Sequence, residues 1–151
     1  MAGSIKPAPQ LHRSRGVVRL KATITCDALG DATGVDYPEA FGRIVGVAYR
    51  PGTLATGVDI TVTDKASGKA ILVITNAGAS ALYFQPTAVA TDNTGTALTA
   101  NSGAGGAGNG PDVNRDIVVG GKLTVSAAQG GAAGVGGFDL IVCESAGLLV
   151  R

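Results

Sequence analysis

The sequence predicts an all-β fold, an antiparallel β-sandwich of jelly-roll type with an extended N-terminal arm. Three observations predict it. Apolar and polar residues alternate in short runs. No stretch places apolar residues at i, i+3, i+4 and i+7, as an amphipathic helix requires. Clusters of Gly, Pro, Asp and Asn separate the runs, as turns do. The chain of 151 residues is one domain by length, and without Trp and with three Tyr and three Phe its core must come from small and β-branched side chains.

Residues 1–16 read as a basic arm and residues 17–151 as the sandwich domain. Pro7 and Pro9 hold the arm extended. The first strand runs from Val18 to Cys26, with Val18, Leu20, Ala22, Ile24 and Cys26 on one face and Arg19, Lys21, Thr23 and Thr25 on the other. Residues 27–40, rich in Gly, Asp and Pro, read as a loop. Ile44 to Tyr49 is the second strand, ended by Pro51-Gly52. Val58 to Thr63 alternates, Asp64 to Lys69 turns, and Ile71 to Ile74 is a continuous apolar run, so the three form a hairpin. Ala81 to Gln85 is a fifth strand closed by Pro86, and residues 87–100 hold a weaker sixth. Ile117 to Val119 is short. Leu123, Val125 and Ala127 alternate with polar residues, Gly130 to Gly137 is a loop, and Phe138 to Cys143 is the last strand. The lack of crossover helices implies antiparallel pairing.

Charge is unevenly placed. Lys6, Arg13, Arg15, Arg19 and Lys21 precede the first acid, Asp27, so residues 1–21 carry +5 and the remainder, with seven basic against 11 acidic residues, carries −4. The candidate partner-binding residues are therefore Lys6, His12, Arg13, Arg15, Arg19 and Lys21. Two readings stand side by side: an arm that lies along a neighbouring subunit or an acidic surface and orders on binding, or a disordered, solubilising tail. Arg19 and Lys21 sit on the outer face of the first strand and extend the arm's surface onto the body. A net charge near zero argues against a general nucleic-acid binder.

The motifs that would carry chemistry fail on context. Gly103-Ala104-Gly105-Gly106-Ala107-Gly108 matches G-x-G-x-x-G, but Pro111 and a strand follow where a helix N-terminus must bind the pyrophosphate. Gly121-Lys122 lacks the Ser or Thr and the upstream Gly of a phosphate-binding loop. The one histidine, His12, lies in the arm and not in a rigid pocket. Cys26 and Cys143 have no neighbouring metal-ligand partners and read as small core residues, close in space if the first and last strands pair. Asp27, Asp31, Asp36 and Glu39 crowd one loop, where ordinary turn chemistry competes with a calcium site. Neither a secretory apolar region nor a membrane-spanning run is present. The expectation is a soluble protein with reduced thiols that is not an enzyme, with no catalytic residue, cofactor or metal.

The stretch "FGRIVGVAYRPGTLATGVDITVTDKASGKAILVITNAGASALYFQP", then glycine-rich loops, "GGKLTVSAAQGG" and "GFDLIVCE", resembles small virion proteins of tailed bacteriophages, in particular head decoration, or cement, proteins. The likeness covers residues 17–144 and lies in texture, not in a diagnostic motif. It implies a β-sandwich on the outer capsid surface that bridges major capsid subunits, pairs with itself as a dimer or trimer, and grips the lattice through the arm. The protein would be made in the host cytoplasm and reside in the virion, with neither nucleic acid nor membrane as partner. A tail or head–tail joining component, or a receptor- or glycan-binding module, is the alternative.

Overall fold

The computed structural model describes residues 2–7, 12–14, 16–89 and 114–144. The glycine loop of residues 101–111, Arg15 and most of the predicted sixth strand lie outside them. All regular structure among the described residues is β, and no helix there is long and apolar enough to cross a membrane.

The strands are β1 (Ser4–Pro7), β2 (His12–Ser14), β3 (Val17–Thr25), β4 (Ala32–Asp36), β5 (Ala40–Arg50), β6 (Val58–Asp64), β7 (Ala70–Ala77), β8 (Leu82–Phe84), β9 (Thr87–Val89), β10 (Asn114–Asp116), β11 (Val118–Gly121), β12 (Leu123–Ala128) and β13 (Val135–Glu144). Eleven form one sheet in the order β11-β5-β13-β3-β1-β4-β12-β6-β7, with β2 on β3 and β8 on β5, while β9 and β10 pair separately. The antiparallel expectation holds for every pair but one: β1 meets β4 in parallel at Ser4↔Thr33, so the sheet is mixed.

The sheet curls. Tyr49 on β5, Leu20 on β3, and Ile60 and Val62 on β6 belong to one buried cluster, which a flat sheet of this width cannot bring together. Alternation explains the curl's inside. Val18, Leu20, Ala22, Ile24 and Cys26 are all buried, as the sequence predicts for this strand, and Leu123, Val125 and Ala127 repeat the pattern on β12. The predicted hairpin is β6–β7, in register at Val62↔Leu72 and Thr61↔Val73.

Boundaries differ from expectation in several places: β5 begins at Ala40, four residues before Ile44, β7 continues to Ala77, Ile117 falls between β10 and β11, and three further differences stand out. Ser4–Pro7, assigned to an arm, is extended but hydrogen-bonded between β3 and β4, with Ile5 1% exposed. A β-branched residue between polar neighbours was sufficient signal for a short strand. The predicted loop 27–40 contains β4, which Gly34 and two polar residues conceal in the sequence. The last strand starts at Val135, because Gly136 and Gly137 lie beneath side chains from β5 and its following turn.

The two core tyrosines make a contrast. Tyr37 Oη donates to the Phe138 carbonyl at 3.2 Å, and burial, with Asp139 adding, pushes its phenol well above the ordinary value. Tyr49 Oη is buried with no hydrogen-bond partner among the described residues. A made buried hydrogen bond contributes about 1 kcal/mol, and an unmade one leaves a desolvation penalty. Tyr37→Phe is expected to lower stability by about 1 kcal/mol and Tyr49→Phe to leave it unchanged or raise it. Urea titrations of the two variants check this.

Candidate basic interface

The outer face of β1, β3, β13 and β5 collects the molecule's distinctive side chains. Register builds it row by row. Lys6, Thr23, Gly137 and Arg50 stand opposite one another across the four strands. The next row is Lys21, Asp139, Ala48 and, on β8, Tyr83. The third is Arg19, Ile141 and Gly46.

Asp139 is the pivot. It faces away from Phe138, Leu140 and Val142, yet its side chain is 0% exposed. Arg50 covers it by donating Nη1 to Oδ2 at 2.8 Å and Nη2 to Oδ1 at 2.7 Å. Arg19 adds Nε at 2.9 Å and Nη2 at 2.8 Å, both to Oδ2. Burial pushes the Asp139 carboxyl up, but the Arg50 hydrogen bonds and charge, with those of Arg19, outweigh it and hold the group below the usual carboxylate range. The guanidiniums themselves remain accessible, with side chains 40% exposed at Arg19 and 49% at Arg50.

Two glycines keep the face low. A Cβ at Gly137 would lie 2.6 Å from Arg50 Nη2, so only glycine lets this guanidinium rest on the sheet. A Cβ at Gly46 would lie 2.9 Å from the Tyr83 hydroxyl, so the tyrosine too lies over bare backbone. In these three rows Lys6, Arg19, Lys21 and Arg50 accompany one carboxylate, that of Asp139, an excess of three positive charges. Lys6 and Lys21 have no salt-bridge partner among the described residues.

The structure thus brings together three of the six residues singled out in the sequence: Lys6, Arg19 and Lys21. His12 and Arg13 lie on β2, with His12 opposite Arg19 in register, and Arg15 is outside the described residues. Arg50 and Asp139 were missed. Asp139 is an acid in the middle of an apolar run, which is a signal, but its partners lie 89 and 120 residues away.

Other candidate groups resolve into structural roles. Asp27 Oδ1 accepts from the backbone N–H of Leu29 and Asp31, and these bonds lower its carboxyl below the ordinary value. Asp36 pairs with Lys65 and accepts from Thr124 Oγ1 at 2.9 Å. No group of three metal-ligating side chains occurs among the described residues. The first and last strands do pair, but the pairing separates the cysteines: Cys143 is opposite Val17, while the Cys26 N–H donates to the Gly134 carbonyl at the far end of the same ladder. Both thiols are free, and burial raises that of Cys26.

A groove of about 430 Å³ lies between β7, the β9–β10 pair and β11, lined by Ala70, Ile71, Ala88, Arg115, Asp116, Ile117 and Val118. Of its two charged residues, Asp116 is held by Arg43 Nη1 at 2.8 Å. The exposed aromatic side chains Phe41 and Tyr83 do not form one platform. Tyr83 is opposite Ala48, seven residues along β5 from Phe41, or roughly 20 Å at the usual strand rise.

No family model matches the chain, and no curated protein or solved structure matches it at a significant level.

Proposed function

We propose that the chain is a non-enzymatic virion structural protein that binds the outer capsid surface and cements neighbouring major capsid subunits. The observation that carries this reading is the low, basic face of β1, β3, β13 and β5, which is a surface for broad contact and not a cleft for a substrate. Exposed Tyr83 and, towards the β11 edge, Phe41 and Val118 add apolar area on the same sheet, 66%, 55% and 70% accessible. Charged groups set orientation and encounter at such an interface, while apolar anchors supply affinity. A cement also gains from multivalency, so self-association as a dimer or trimer belongs to the reading. The resemblance in texture to head decoration proteins supplies the partner, the major capsid protein, and the location, the virion, after synthesis in the host cytoplasm.

The reading includes a jelly-roll-like sandwich for the body. It is favoured by the division of the core between the two halves of the sheet. Leu20, Phe138 and Tyr49 come from one side of the β1–β4 bridge, and Ile60, Val62 and Val125 from the other.

Co-sedimentation tests the proposal. Purified full-length chain is mixed with expanded heads built from the major capsid protein of the phage that encodes it. Saturable retention on heads is expected. Absence of retention at micromolar chain overturns the reading.

A further inference from the structure

We propose that the outer face of β1, β3, β13 and β5 is the docking surface for an acidic protein partner, with the guanidiniums of Arg19 and Arg50 each receiving a partner carboxylate. This rests on the cement reading and names the contact face and the chemistry of what it meets.

A guanidinium carries five N–H groups. Asp139 engages Nε and Nη2 of Arg19, and Nη1 and Nη2 of Arg50. Each arginine keeps further N–H groups for a second acceptor, and each side chain is nearly half exposed. A planar fork with donors to spare fits a second carboxylate in the same bidentate manner.

Both guanidiniums are preorganised. Long basic side chains usually lose rotamer freedom on binding, which weakens the contact they make. Here the buried carboxylate has already fixed both arginines, and Gly137 fixes the plane in which one of them lies. Asp139 therefore acts as a positioning residue beneath the surface. The observed group has two arginines and two flanking lysines, so its charge is unbalanced outward.

Shape and charge select the partner. Lys6 and Lys21 flank the pair, and neither has a salt-bridge partner among the described residues. Thr23, Ala48, Gly46 and Gly137 between them are small, so the face admits a flat surface and not only a single protruding side chain. Three surplus charges match a few carboxylates. Nucleic-acid interfaces neutralise more phosphates and offer stacking rings, whereas Tyr83 is the one aromatic ring in these rows and the chain's net charge is +1.

The test uses the full-length chain and the double variant Lys6→Glu with Lys21→Glu, which replaces neither Arg19, Asp139 nor Arg50 and reverses the charge on either side of them. A thermal melt establishes that the variant folds. In co-sedimentation with heads, the variant is expected to bind at least about tenfold more weakly than the parent. Raising salt from about 0.05 to about 0.5 M is expected to weaken the parent far more than the variant. Equal head binding by a folded variant overturns the inference and leaves the cement reading in place. If the parent ignores heads, the cement reading fails, and immobilised poly-glutamate then tests the face alone. Retention of the parent and not of the variant supports it, and retention of neither overturns it. Tighter binding of the parent to duplex DNA than to poly-glutamate at equal salt overturns the partner assignment. So does a change of oligomeric state in the variant, which would mark the face as a contact between copies of this chain.

Discussion

Asp139→Asn is expected to destabilise the protein by about 3 kcal/mol at neutral pH. Removing one partner of a buried ion pair costs about 3–5 kcal/mol when an uncompensated charge stays buried. In this case the charges left behind are guanidiniums nearly half exposed, which water can solvate, so the lower end applies. The asparagine amide keeps the shape of the acid but points an N–H₂ at arginine donors. The effect depends on pH in a defined direction. The Asp139 carboxyl is lower in the folded chain than in the unfolded chain. Its contribution is therefore complete above the unfolded value of about 3.9 and is lost as pH falls through the folded value. Denaturant titrations of both proteins are expected to show a wide gap at pH 7 that narrows below pH 4. A constant gap would mean that the acid acts through packing and not through its charge.

Phe138→Ala is expected to cost about 4 kcal/mol, within the range for removing a buried aromatic ring. Phe138 is wholly buried, in register between Ala22 and Tyr49, at the centre of the three longest strands. Its neighbours are a small residue on one side and a ring held in its own buried site on the other, so the cavity has little to collapse into it. Domains of this size are stable by about 5–15 kcal/mol, and the variant is expected to lose much of that margin. Phe138→Leu, which keeps most of the volume, is expected to lose less than half as much. A thermal melt series over the two variants checks the ordering. Equal losses would place the ring's contribution outside the core.

These two residues also show what the sequence made legible. Phe138, Leu140 and Val142 alternate with Asp139 and Ile141, and so do the residues of β3, so the inner face could be read by inspection. The same period put Arg19 on the outside, correctly as to direction, and left Asp139 unremarked. It could not show that Asp139 is covered, because the cover comes from side chains on two other strands. The parallel bridge Ser4↔Thr33 was illegible for a similar reason: one hydrogen-bonded contact leaves no periodic trace. The N-terminal charge asymmetry pointed to Lys6 on an arm and to Arg19 and Lys21 on the outer face of the strand that follows it. Pairing of β1 with β3 turns that linear run into a patch, and Arg50 joins it through β13.

The proposed role of the chain is to hold capsid subunits together. Thermal rupture of expanded heads, followed by release of packaged DNA to a dye, measures it most directly. Heads saturated with the chain are predicted to rupture at a higher temperature than bare heads, and heads mixed with the Lys6→Glu, Lys21→Glu variant at the same concentration to rupture near the bare value. Identical rupture temperatures for saturated and bare heads would rule out a cementing role.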